Sequence, residues 1–421
     1  MRPCRPSEMT QRRCSTMRPS RAANNRNWDR FAVTEAPFAL LAALQARRDQ
    51  GLLRTRCCSE HVSGSRMVVA GREHINFSSN DYLGASQNPL IRSAWKAGLD
   101  VWGAGSGASP LVTGYTAAHR ELEEAIAEWL GVEAVMLFSS GFAANQAVIK
   151  SLLTAEHTVW QDRLNHASLQ EAGSQHACRL RRFRHNDLAH LSSLLATAQG
   201  LIVSEGVFSM DGDQAPCAGL HELAHQSQNW WMLDDAHGLG VLGAQGRGTL
   251  DHQGLGSLRP DVLMATFGKA LGTSGAFVAG RRELIDYMVN FSRDYVYSTH
   301  MPPAQAVATL AAVRWVKQAD AARAYLAELI HRFRTGAMQA GLPLLDSATP
   351  IQPLLVGCSE QALALATSLR AQGLWVTAIR PPTVPTGTAR LRLTLTAGHS
   401  VDDIETLVVA LARAWQESRH V

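Results

Sequence analysis

The chain has 421 residues, of which 46% are hydrophobic and 18% charged, with 40 Lys and Arg against 36 Asp and Glu. That length holds one large domain with smaller terminal pieces, and the composition is that of a globular protein. No apolar run approaches the roughly 20 residues that a membrane-spanning helix needs, so no membrane role is expected.

The net charge of +4 belongs to the N-terminus. Residues 1–27 hold seven Arg and one Glu, a balance of +6, so the remaining 33 basic and 35 acidic residues sum to −2. A nearly neutral body gives nucleic acid nothing to bind. The tail over residues 1–36 has no apolar segment and is therefore no secretory signal. It reads as a dispensable basic tail, with a transit peptide, a disordered arm or an over-extended start as alternatives. Seven scattered Cys without metal-type spacing point to reduced thiols and a cytoplasmic protein.

In chain order, Phe38, Leu40, Leu41 and Leu44 fall at helical spacing and predict a helix over Pro37–Asp49. Ile75–Phe77 reads as a short strand leading into Ser78-Ser79-Asn80-Asp81-Tyr82-Leu83-Gly84. A glycine-rich run, Gly103–Pro110, precedes a helix over Thr116–Leu130, whose Leu122, Ile126, Trp129 and Leu130 share a face before Gly131 stops it. Seven strand-like runs then alternate with helical or loop segments: Ala134–Phe138, Thr158–Gln161, Leu180–Phe183, Leu201–Glu205, Trp231–Asp234, Val262–Ala265 and Ala276–Ala279. Such alternation predicts an α/β fold with a mostly parallel seven-stranded sheet. From Pro302 two long helical stretches run to about Gly341. Beyond them come Gln352–Val356, a helix near Glu360–Gln372, strands at Trp375–Ile379 and Arg390–Thr396, and a closing helix from Val401. The expected division is 1–36 tail, 37–80 N-terminal segment, 81–301 large domain and 302–421 small α+β C-terminal domain. No internal repeat is visible.

Ligands in such sheets gather at the carboxyl ends of the strands. Ser140-Gly141-Phe142, His166, Glu205 with Ser209, Asp234, His237 and Lys269 all stand there. Lys269 lies among small residues in Ala265–Gly272, where an ammonium loses charge easily and its neutral amine can attack a carbonyl. A carboxylate such as Asp234 pairs with a protonated pyridine nitrogen. Together Lys269 and Asp234 suggest pyridoxal 5′-phosphate (PLP). Taken singly, a surface Lys and a capping Asp would be the ordinary reading.

These motifs, in this order, resemble the PLP-dependent α-oxoamine synthases of the aspartate aminotransferase fold type I over roughly residues 38–418. The resemblance rests on Asn76–Gly84, Gly141–Gln146, Gly206–Asp213, Thr266–Lys269 and Arg380–Pro385. It implies that Lys269 carries PLP as a Schiff base and moves protons at the substrate, that Asp234 keeps the pyridine nitrogen protonated, and that His166 stacks on the ring. His237 would donate toward the phenolate oxygen. Gly141 and Phe142 would receive the phosphate at a helix N-terminus, and Ser209 and Thr266 would add hydroxyl donors. Ser298 and Thr299 would reach the phosphate of the other protomer in a homodimer. Arg380 would hold the amino-acid carboxylate, with Asn80 and Thr383 on the substrate side and Arg54 on the acyl thioester.

The implied reaction joins an amino acid to an acyl thioester with loss of carbon dioxide. The wording of Ser78–Asn80 and Arg380–Pro385 is nearest to members that take L-alanine and a pimeloyl group, on coenzyme A or acyl-carrier protein, toward biotin. Siblings that use glycine or serine share nearly all the cofactor residues. His221-Glu222-Leu223-Ala224-His225 matches a zinc-peptidase motif, but it falls where the alternation predicts a crossover helix, so no metal is expected. Gly103-x-Gly105-x-x-Ala108 imitates a dinucleotide fingerprint without the βαβ frame that motif requires, and Ala270 breaks a phosphate-loop reading of Gly268-Lys269.

Overall fold

The computed structural model describes residues 38–195 and 198–418, so the basic tail lies outside the described residues. The chain divides into two compact units, residues 1–57 and 58–421. The described part of the first unit holds helix α1 (Leu40–Asp49). Gln45 bridges Arg48 and Asp49, and Arg47 and Arg48 occupy the last turn, where the helix dipole favours cations. The helix begins near the predicted position, but Phe38, Leu40, Leu41 and Leu44 are all exposed.

The second unit opens with three short antiparallel strands, β1 (His61–Ser63), β2 (Arg66–Val69) and β3 (Arg72–Asn76). Helix α2 (Pro89–Trp102) starts where the Asn88 side chain accepts the Leu90 N–H, with Pro89 at a position that has no N–H to lose. Helix α3 (Ala117–Leu130) ends at Gly131 in the left-handed conformation (φ 63°), as its sequence requires.

Alternation follows, broken only where β10 comes directly after β9: β4 (Ala134–Phe138), α4 (Gly141–Leu152), β5 (Thr158–Asp162), α5 (Ala167–Gln175), β6 (Arg179–Phe183), α6 (Leu188–Leu194), β7 (Gly200–Glu205), α7 (Cys217–Gln226), β8 (Trp230–Asp234), α8 (Thr249–His252), β9 (Val262–Thr266) and β10 (Ala276–Gly280). All seven strands match the predicted runs to within one residue at either end. They form one sheet in the order β4-β10-β9-β8-β7-β5-β6, with β10 antiparallel to both neighbours and the other pairs parallel. Side chains alternate between two buried faces. Met136, Val203, Met232 and Met264 join one apolar cluster, while Leu137, Ile202, Leu233 and Leu263 join the other. A sheet covered on both sides needs such nearly continuous apolar strands.

The chain continues through α9 (Arg282–Phe291), α10 (Arg293–Val296), α11 (Pro303–Lys317), α12 (Asp320–Gln339), β11 (Ile351–Gly357), α13 (Ser359–Ala371), β12 (Leu374–Trp375), β13 (Thr377–Ile379), β14 (Ala389–Thr394) and α14 (Val401–Ser418). Strands β11, β14 and β13 make a three-stranded antiparallel sheet. Trp375–Ile379, expected as one strand, is two. Leu374–Trp375 pairs in parallel with Ile75–Asn76 of β3, and Thr377–Ile379 pairs with β14. The chain changes sheets at Val376, whose side chain is fully buried. Helix α11, just beyond the expected boundary at 302, packs on α2 and α3 and adds Ala308, Ala312 and Val316 to the main core.

Candidate active site

A cavity of about 240 Å³ opens at the carboxyl ends of the parallel strands. His166, Ser209, His237 and Lys269 line it from the large sheet's side, as do Ser78 and Asn80 from the segment after β3. Met210, Thr377, Ile379 and Arg392 complete the lining.

Register places the acids. Glu205 and Asp234 are partners at the ends of β7 and β8, so two carboxyl groups sit side by side in the sheet. Asp234 is held from both oxygens: Oδ2 accepts the Asn145 amide at 2.8 Å, and Oδ1 accepts the Ala236 N–H at 3.1 Å. Burial and the neighbouring Asp234 push the Glu205 carboxyl well above its usual pKa, against the pull of Lys269. Its Oε1 is buried without a hydrogen-bond partner.

Lys269 follows β9 in a turn closed by Gly272 N–H to the Lys269 carbonyl at 2.9 Å. Burial lowers its pKa to about 8; Asp234 and Glu205 oppose that shift, and Arg392 reinforces it. A free amine is therefore accessible near neutral pH, which a Schiff-base Lys needs.

The two histidines differ in support. His166 caps α5, and its Nδ1 lies 2.8 Å from the Ser168 hydroxyl, which also accepts the Asn145 amide at 2.9 Å. Burial and Lys269 lower its pKa against the pull of Asp234. His237 lies within a buried turn with Nδ1 2.5 Å from the Tyr82 hydroxyl. Burial first, then Lys269 and Arg392, hold its pKa well below the ordinary value, so the ring is neutral. The turn is rigid because Asp235 accepts Thr249 N–H (2.8 Å) and Thr249 hydroxyl (2.5 Å). A Cβ at Gly238 would collide with that same carboxylate and hydroxyl, so only glycine follows His237.

The residues fit a phosphate-bearing pyridine aldehyde. At the start of α4, Ser140 Oγ accepts the Ala143 N–H at 3.2 Å, and the N–H groups of Gly141 and Phe142 have no intrahelical acceptor. Beside them Thr266 Oγ1 is buried without a partner, and a Cβ on Gly141 would stand 2.6 Å from Thr266 Cγ2. An open helix N-terminus, an orphaned hydroxyl, a carboxylate and a low-pKa amine form the donor set such a cofactor requires.

Arg392 is the residue that sequence reasoning missed. It is buried at 7% exposure on β14, and Nε donates to the Ser209 carbonyl at 2.6 Å while Nη1 and Nη2 reach Asn80 Oδ1 at 3.3 and 3.2 Å. In the sequence it is one Arg of the alternating Arg390-Leu391-Arg392-Leu393, which reads as an ordinary strand with one polar face. Arg380 and Thr383 lie beyond β13 and do not line the cavity, and Thr383 is exposed. Ser298 and Thr299 are exposed after α10, and Arg54 is exposed in the first unit. His221 packs edge-on against Trp231 with ring centres 6.0 Å apart, and His225 is exposed. Among the described residues no group of three or more His, Cys, Asp or Glu is gathered for a metal, and no helix is long and apolar enough to cross a membrane.

Sheet order, cavity position and the placing of Lys269 and Asp234 at strand ends define a PLP transferase of fold type I, and the chain belongs to the class I and II aminotransferase family, whose model matches residues 72–411. Serine palmitoyltransferase from S. paucimobilis with bound PLP–myriocin aldimine superimposes at a TM-score of 0.85, with 28% identity over 91% of this chain and 98% of that one. Within the family the chain stands with the 8-amino-7-oxononanoate synthases. It is 58% identical to that enzyme of Aeromonas salmonicida, over 92% of this chain and 99% of the relative, and 59% identical to that of Aeromonas hydrophila, over 90% and 95%. The synthase structure from Francisella tularensis has a TM-score of 0.73 and 26% identity, covering 82% of this chain and 99% of that one.

Proposed function

We propose that the protein condenses L-alanine with a pimeloyl thioester, releasing carbon dioxide and the free thiol and forming 8-amino-7-oxononanoate for biotin biosynthesis. The constellation of Lys269, His166, His237 and Arg392 around one cavity, with Asp234 held beside it by Asn145, carries the chemistry. The likeness to the two Aeromonas synthases favours alanine and pimelate over a sibling's substrates.

When bound, PLP supplies an electrophilic carbonyl for the amino group and a protonated ring that withdraws electrons from the α-carbon. Lys269 would hold it covalently, then, once displaced, take the α-proton and later return one. Asp234 would hold the proton on the ring nitrogen. His237, kept neutral and backed by Tyr82, would donate from Nε2, and His166 would cover the ring face. The first turn of α4 with Thr266 and Ser209 would receive the phosphate and ring substituents. Arg392, rather than Arg380, would hold the amino-acid carboxylate, because its guanidinium lines the cavity and a buried cation there lacks a carboxylate partner among its hydrogen bonds. Asn80 fixes that guanidinium. Ser298 and Thr299, exposed on one protomer, would complete the phosphate site of a second copy, and Arg54 would meet the thioester carrier, coenzyme A or acyl-carrier protein.

The test is the near-visible absorption spectrum of the PLP-loaded protein during titration with L-alanine, glycine and L-serine. A response selective for alanine supports this reading. Selectivity for glycine or serine moves the function to a sibling, and a protein that takes up no PLP overturns the chemistry altogether.

A further inference from the structure

His185 lies just beyond β6 with about a quarter of its side chain exposed. Its Nδ1 is 3.0 Å from Asp162 Oδ1, and its Nε2 is 2.7 Å from Asp213 Oδ2. An ionised carboxylate only accepts hydrogen bonds, so a ring that meets one at each nitrogen donates from both and is an imidazolium. The edge of the ring rests on Phe208, with centres 4.4 Å apart.

The two carboxylates belong to segments that carry different lining residues of the cavity, His166 and Ser209. Asp162 ends β5 and is fully buried; Oδ1 accepts the Leu164 N–H and Oδ2 the Asn186 N–H, each at 2.8 Å. These bonds shape the short segment that runs from β5 to His166. Asp213 closes the turn after β7, where its carbonyl accepts the Phe208 N–H at 3.0 Å. Asn186 supports the same turn by donating to Asp213 Oδ2 (2.9 Å) and the Gln214 carbonyl (3.1 Å). At the tip of that turn the Ser209 carbonyl anchors Arg392 at 2.6 Å, and Asp211 pairs with Arg390 at 2.6 Å.

We propose that His185 is a positioning residue for the amino-acid site: clamped between Asp162 and Asp213, it ties the segment bearing His166 to the turn bearing Ser209 and so sets the aim of Arg392. This rests on the reading of Arg392 as the carboxylate holder. Burial alone would discharge the ring; the two aspartates outweigh it and raise its pKa to about 10, so the tie is intact at neutral pH. The other charged neighbours pair elsewhere: Arg184 binds Asp187 at 2.8 Å, and Arg390 binds Asp211.

The experiment uses the PLP-loaded full chain, its His185→Gln and Asp213→Asn variants, and L-alanine as the probe. Nitrogen NMR of the labelled histidine ring reads its protonation, and absorption titration reads the alanine dissociation constant. The wild-type ring is expected to keep both protons past pH ~8, and alanine affinity is expected to fall about tenfold in His185→Gln with PLP retained. Asp213→Asn, with one carboxylate left, should bind alanine nearly as wild type at pH ~6.5. Its affinity should then weaken toward pH ~9 as the ring discharges earlier. A purely structural role would not link alanine affinity to ring protonation. Where His185→Gln fails to fold, Asp213→Asn decides, because Asp213 is partly exposed. A wild-type ring singly protonated at neutral pH, or alanine affinity unchanged in the variants at every pH, overturns the inference alone. A wild-type protein with no spectral response to any amino acid overturns the reading beneath it, and this inference with it.

Discussion

The Asn145 amide donates to Asp234 Oδ2 at 2.8 Å from the second turn of α4, so the helix whose first turn lies beside Thr266 also steadies the carboxylate at the end of β8. Asn145 is 1% exposed, and no water can replace it cheaply. Asn145→Ala is expected to lower kcat/KM by about 10- to 100-fold, the loss of one charge-assisted hydrogen bond in a buried site. Steady-state kinetics at saturating PLP measure this; a change under twofold would mean that Ala236 alone positions Asp234.

Lys269 should report its own acidity. With a pKa of about 8, the amine of the PLP-free protein is mostly charged below that pH and mostly free above it. The rate of borohydride-trapped PLP incorporation should rise about tenfold per pH unit below pH 8 and then level off. Lys269→Ala should trap none and lose turnover by about 10²–10⁴-fold. Mass spectrometry of the trapped adduct checks both statements.

Arg392 and Arg380 make opposite predictions. Arg392→Ala should weaken L-alanine binding by about 10- to 100-fold while PLP remains bound, since it removes a charged hydrogen-bond donor from a desolvated cavity. Arg392→Lys should recover only part, because an ammonium cannot reproduce the guanidinium's simultaneous bonds to Ser209 and Asn80. Arg380→Ala should change alanine affinity by less than about threefold. Equal losses in the two alanine variants would return the carboxylate to Arg380.

Stability should fall at alkaline pH. The His185 pKa is raised from 6.5 to about 10 in the folded chain, so its contribution is complete below about pH 6.5 and lost as pH rises through about 10. The melting temperatures of wild type and His185→Gln should therefore differ at pH ~7 and converge toward pH ~10. A gap that stays constant over that range would show that the imidazolium is not what stabilises the junction.

Alternation of apolar strands and helices was enough, without coordinates, to locate all seven strands of the large sheet, because a sheet buried on both faces writes its strands as short continuous apolar runs. Lys269, Asp234, His237 and His166 were legible for a related reason. Asp234 ends a strand and Lys269 follows one among small residues, which marked them locally; His166 and His237 also stand at strands' carboxyl ends, but their roles were read from the family resemblance. Arg392 was not legible. Its neighbours alternate as any strand's do, and its entry into the cavity depends on β14 lying beside β13 and facing a turn 183 residues earlier in the chain. Only tertiary structure brings such distant segments together. The same holds for the split of Trp375–Ile379 between two sheets and for the clamp of His185 between Asp162 and Asp213. Sequence determined the local elements and the residues at strand ends, where short-range sterics and burial decide. Tertiary packing decided which buried charges face one another, since a buried guanidinium or imidazolium is tolerated only where the fold supplies its partners.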